Sequence, residues 1–204
     1  MITYSDLDIR KKAFIFELDN VLFPQKDYFY QVYYLFANFL EYQEMLDNKV
    51  LTRLMIEVFE KEGADVVFDR LQQKFQLDIK YKENFNRLLS TARLPLKLLL
   101  FQQMLSLLQD IVVDRKSIFI ITNGDPELQL NKIRQTEWHG LEKYLTCYFA
   151  DEIMAKPEPD SIIRLLKDHQ LERRDLMIIG CGHTDELFAE ACGVDFVNAS
   201  QIIT

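Results

Sequence analysis

Glu17 and Asp19 stand two positions apart where the apolar run Phe14-Ile15-Phe16 ends, and a strand that delivers paired acids to its end is how many phosphoryl-transfer sites begin. Side chains alternate across a strand with period two. Both carboxylates are therefore expected on one side, near the crevice where open α/β sheets bind ligands. Three further pieces place polar groups at the ends of apolar runs. Ile120-Ile121-Thr122-Asn123-Gly124 stops at a hydroxyl, an amide and a glycine. Lys156-Pro157-Glu158-Pro159 carries a cation beside its prolines, and Ile178-Ile179-Gly180-Cys181-Gly182-His183-Thr184-Asp185 passes through a thiol to an acid.

These groups need elements to hold them. Five short segments rich in β-branched and aromatic residues read as buried strands: 13–18, 117–122, 147–150, 176–180 and 194–197. Helical patterns lie between the later ones, at 126–137, 160–169 and 185–192, and this alternation predicts a doubly wound parallel sheet of the α/β class. The stretch after the first strand differs. Tyr28, Val32, Tyr33, Phe36 and Leu40 recur at helical spacing, as do Leu51, Met55 and Val58, and Leu98, Phe101, Leu105 and Leu108, with almost no strand signal between them. The expected organisation is an α/β core from 1–23 and 112–204, with an all-helical domain inserted at 24–111 over the sheet edge.

In this order, the four polar pieces resemble the four motifs of the haloacid dehalogenase-like hydrolases, most of whose members are phosphatases, with a helical cap of the C1 type after the first motif. The resemblance spans essentially the whole chain. It implies a Rossmann-like core and hydrolysis of a small phosphomonoester through an acyl-phosphate intermediate. Glu17 takes the place of the nucleophile, Asp19 that of the general acid and base, and Lys156 that of the cation neutralising phosphate and nucleophile. Thr122, Asn123 and Gly124 would bind phosphoryl oxygens. Magnesium would be held through Glu17, the backbone carbonyl of Asp19, and Asp185. Two positions depart from the family pattern: Glu17 replaces an Asp, and Cys181 replaces the first acid of the fourth motif. Two readings follow, a magnesium-dependent phosphatase of weakened activity, or a catalytically silent protein that binds a phosphorylated ligand or a protein partner. Asp19 separates the chain from true dehalogenases, which lack the second acid. A phosphoacceptor receiver domain would share the acids, Thr and Lys but leaves the helical insert unexplained.

Composition excludes other classes. The 204 residues are 49% hydrophobic and 27% charged, as in a folded domain, and the net charge of -8 argues against a sequence-independent grip on nucleic acid or anionic membranes. Three cysteines, Cys147, Cys181 and Cys192, form no Cys-x-x-Cys pair and no disulfide framework, which suits a reducing cytoplasm. The N-terminal residues carry no signal-peptide pattern, and no apolar run is long enough to span a bilayer. Gly180-Cys181-Gly182 lacks the third glycine of a dinucleotide fingerprint. His139, His169, Cys147 and Cys192 read as structural, and His183 as a passive loop residue. In the insert, Tyr28, Arg93 and Lys97 are candidates for substrate choice. The expected ligand is a small phosphorylated metabolite.

Overall fold

The computed structural model describes residues 2–203, so the outermost positions of the core segments, Met1 and Thr204, lie outside the described residues. Five strands form one parallel sheet: β1 (Ala13–Phe16), β2 (Ser117–Thr122), β3 (Leu145–Phe149), β4 (Leu176–Gly180) and β5 (Asp195–Asn198), in the order β3-β2-β1-β4-β5. Every residue of β1 is buried, as a central strand covered on both faces requires. Its register sets Phe16 beside Ile120 on one neighbour and Ile179 on the other. The carboxyl ends of β1, β2 and β4 therefore share one edge, and the polar motifs are brought to that edge.

Alternation sorts the core by face. Ala13, Ile15, Phe119, Ile121, Leu176 and Ile178 belong to one cluster, packed by Ile162 and Leu165 of a helix at Asp160–His169 and by Phe188 and Ala189 of another at His183–Cys192. The opposite face carries Phe14, Phe16, Ile118, Ile120 and Ile179, all buried. Against β2 lies the helix Gln102–Val113, which buries Met104, Leu107, Leu108 and Ile111.

The helices are α1 (Gln25–Glu44), α2 (Asn48–Glu62), α3 (Val67–Phe75), α4 (Tyr81–Thr91), α5 (Gln102–Val113), α6 (Pro126–Gln135), α7 (Asp160–His169) and α8 (His183–Cys192). The chain divides into two compact units, one of Met1–Pro24, Leu99–Gln129 and Thr136–Thr204, the other of Gln25–Leu98 with Leu130–Gln135. The sheet unit thus reclaims α5, which the sequence places inside the insert. Helical periodicity reports that a face is buried, not which body buries it.

In the helical unit, α1 to α4 pack through aromatic rings. Phe36 meets Phe85 edge-on at 5.0 Å between centroids, Tyr33 stacks on Phe85 at 6.1 Å, and Phe29 lies 5.0 Å from Phe59. Asp47 caps α2 by accepting from the Lys49 and Val50 amides. Tyr28 is fully buried here, donating its hydroxyl to the Leu89 carbonyl at 2.5 Å and accepting from Asn131, so it is a packing residue. Arg93 and Lys97 are exposed. No described helix is long and apolar enough to cross a membrane.

Candidate functional site

Strand β1 ends at Phe16, earlier than the sequence pattern suggests, but the Glu17 amide still donates to the Ile179 carbonyl at 3.0 Å and carries the ladder one residue further. Asp19 lies beyond it in a tight turn whose next residue, Asn20, has φ of +59°. Strand alternation therefore does not place the two acids; the turn does. Asn tolerates the left-handed conformation better than most side chains.

The Glu17 carboxylate is gripped on both oxygens. Oε1 accepts the Thr122 hydroxyl at 2.5 Å and the Leu18 amide at 2.7 Å, while Oε2 accepts from the Lys156 ammonium. Lys156 also donates to Asp185 Oδ1 at 2.5 Å, and Asp185 Oδ2 accepts the Cys181 amide at 3.0 Å. The three side chains are only 3% (Lys156), 12% (Glu17) and 8% (Asp185) exposed. Gly180 permits this geometry, because a Cβ there would stand 2.4 Å from the Asp185 Cβ.

One ammonium serves two carboxylates in a dry site, and the titration behaviour follows. Burial pushes the Glu17 carboxyl above the usual range; the Lys156 charge pulls it down and the Asp185 charge pushes it up again. Burial alone would lower the Lys156 ammonium, yet the charges of Glu17 and Asp185 outweigh it and hold the lysine above its ordinary value.

Asp19 joins the constellation through a residue the sequence motifs do not single out. Gln129, 2% exposed on α6, donates from Nε2 to Asp19 Oδ2 at 3.1 Å, Thr122 Oγ1 at 2.7 Å and the Asn123 carbonyl at 2.9 Å. The Thr122 proton is directed to Glu17, so its lone pair is what accepts from Gln129. One amide therefore ties the two acids together.

Asn123 and Gly124 also hold neighbouring segments of the chain. The Asn123 side chain clasps the Lys156 backbone, donating to its carbonyl at 3.0 Å and accepting its amide at 2.8 Å. The Gly124 amide donates to Asp151 Oδ2 at 2.6 Å. Nothing in the local sequence marks Asp151, which follows β3 without a motif of its own. His183 is exposed, with Glu186 3.8 Å away.

A model of the haloacid dehalogenase-like hydrolases matches residues 14–199. The chain belongs to this family. None of the curated proteins matches it. Among solved structures, a hydrolase from Streptococcus pneumoniae TIGR4 is 20% identical over 93% of this chain and 92% of its own, with a TM-score of 0.53. A HAD family hydrolase from Deinococcus radiodurans R1, with bound phosphate and sodium, is 17% identical over 94% and 81%, at 0.58. An L-2-haloacid dehalogenase from Xanthobacter autotrophicus is 14% identical over 91% and 76%, at 0.52. At these identities the likeness is one of fold.

The magnesium implied by the family meets donors that do not suit it. Both oxygens of Glu17 and of Asp185 already accept from protein donors, and the Asp19 carbonyl faces the Cys181 sulfur at 3.6 Å rather than a carboxylate. Desolvation, with the Asp185 and Glu17 charges, pushes the Cys181 thiol up to about 11. A protonated thiol is a poor partner for a hard cation that prefers oxygen. Among the described residues, no group of three or more His, Cys, Asp and Glu side chains is placed to hold a metal ion. Burial likewise raises Cys147 and Cys192 to about 11, in keeping with structural thiols.

Proposed function

We propose that this member of the family is a catalytically silent cytoplasmic protein that acts by binding, its phosphoryl-transfer site held shut by its own Glu17. The carrying observation is the grip on that carboxylate by the Thr122 hydroxyl, the Leu18 amide and the Lys156 ammonium. These are donors suited to phosphoryl oxygens. The extra methylene of Glu carries the carboxylate forward, so it occupies the place a phosphoryl group on a shorter Asp would fill. A phosphomonoester must expel Glu17 before it can bind, and an expelled Glu17 is no longer aligned to attack.

Purified protein should hydrolyse p-nitrophenyl phosphate no faster than its Asp19→Asn variant, with or without magnesium. Turnover clearly above that control would restore the phosphatase reading. The filled cradle has a second consequence. Glu17→Ala removes the internal occupant while leaving Thr122 and Lys156, so inorganic phosphate, measured by calorimetry, should bind the variant about tenfold or more tightly than the parent. Equal affinity for the two proteins would show that Glu17 does not fill the cradle.

A further inference from the structure

The edge of the sheet opposite Glu17 holds a second polar cleft. It lies at the amino ends of β1, β4 and β5, within the sheet unit, and is lined by Asp8, Arg10, Lys11, Lys12, Arg173, Arg174, Asp175, Gly193 and Asp195. Five of these are cations, in a chain whose net charge is -8. Arg10-Lys11-Lys12 and Arg173-Arg174 come from loops far apart in sequence that parallel pairing sets side by side, with Ala13 opposite Leu176.

The loops are held firmly. The Lys12 amide donates to the Asp175 carbonyl at 2.8 Å, and Lys11, only 5% exposed, donates to the Arg174 carbonyl at 3.0 Å and pairs with Asp195. Lys11 is thus an internal strut. The remaining cations face outward. Arg10 pairs with Asp8 at 2.8 Å, Lys12 with Asp175 at 3.0 Å and Arg174 with Glu172 at 2.9 Å, while Arg173 makes no ion pair among the described residues. Asp175 is itself buried, so Lys12 is needed where it stands. The pairs of Arg10 and Arg174 are open to solvent and worth about 0–1 kcal/mol each, so a more highly charged anion can take over those two cations.

The carboxyl end of α8, at Gly193, presents its negative pole to the cleft, and that pole amounts to roughly half an elementary charge. Arg173, the lining cation without an ion pair among the described residues, stands beside that pole. The cavity measures about 820 Å³, within the range of small-molecule sites. No aromatic or aliphatic side chain lines it, so recognition there must come from charge and hydrogen bonds rather than stacking.

We propose that this cleft binds a small polyanion carrying two or more phosphate groups, with Arg10, Arg173 and Arg174 taking the phosphates. Inorganic tripolyphosphate is the probe, titrated calorimetrically into the whole protein at physiological ionic strength. Saturable binding is expected, weakening as salt rises. Arg10→Ala with Arg173→Ala changes two exposed side chains and should weaken binding about tenfold or more. Lys49→Ala with Arg53→Ala removes as many cations from α2 and should leave affinity unchanged. No saturable binding by the parent would overturn the proposal, as would equal losses in the two double variants. Neither result bears on hydrolysis of p-nitrophenyl phosphate, so the reading of Glu17 stands or falls separately.

Discussion

Replacing Lys156 by Met should destabilise the protein by about 3–5 kcal/mol near pH 8, because it leaves two buried carboxylates with no cation between them. Met matches the length of the lysine stem, so packing is nearly kept and the loss is electrostatic. In the parent, Lys156 donates to both Glu17 and Asp185 from a position 3% exposed, where water cannot take over its task. For a chain of this size the loss corresponds to a melting temperature lower by on the order of 10 °C.

The pH dependence gives the expected result its signature. Glu17 has its folded value above the ordinary one, burial being the main cause, so the folded state holds that proton longer than the unfolded state does. Stability from this group is therefore greatest at acid pH and falls as pH rises from the ordinary glutamate value, about 4.3, towards the folded one. The lysine behaves in the opposite range. Its folded value is raised, since the Glu17 and Asp185 charges overcome the cost of burial, so its contribution is present below the ordinary lysine value and is lost only as pH climbs through the folded one. Removing Lys156 thus steepens the decline between mildly acid and alkaline pH. Denaturant unfolding at pH 4.5 and pH 8 measures both arms. A large gap between parent and variant is expected at pH 8 and a small one at pH 4.5, whereas equal gaps would mean that the ammonium matters only as volume.

The parts of the site legible in the sequence are those fixed by strand ends. Thr122 closes β2, and Glu17 follows β1, because an apolar run that stops at a polar group is both a strand boundary and a site boundary in a parallel sheet. Lys156 and Asp185 follow from the order of motifs, and the structure brings both to Glu17. What stays hidden depends on side-chain direction. Gln129 lies on α6, and only the three-dimensional placement of that helix shows its amide reaching Asp19, Thr122 and Asn123. The Asn123 side chain makes two bonds to the Lys156 backbone, a clasp that its motif does not reveal. Tyr28 shows the same limit: a helical spacing that places it in a buried face is equally compatible with a residue aimed at ligand. The basic cleft is harder still, since its two charge runs are some 160 positions apart and meet only through strand pairing.

Restoring both family acids at once, with Glu17→Asp and Cys181→Asp, should create magnesium-dependent hydrolysis of p-nitrophenyl phosphate roughly a hundredfold or more above either single variant. The first change withdraws the carboxylate by one methylene and releases Thr122 and Lys156 to bind phosphoryl oxygens; displacement of a reacting group by about 1 Å is worth roughly a hundredfold in rate. The second sets a hard oxygen donor beside the Asp19 carbonyl, where the sulfur now stands at 3.6 Å. Neither suffices alone. Glu17→Asp opens the cradle but leaves a thiol at the metal position, and Cys181→Asp adds a carboxylate while Glu17 still fills the cradle. Groups that act as a unit respond together rather than additively, so most of the gain should appear only in the double variant. Asp19 and Gln129 are unchanged in all three proteins, which keeps the acid–base arm constant. Adding Asp19→Asn to the double variant should return it to background. If instead the double variant shows no turnover, while phosphate binds Glu17→Ala more tightly than the parent, the cradle is real but the two departures are not what silences the site.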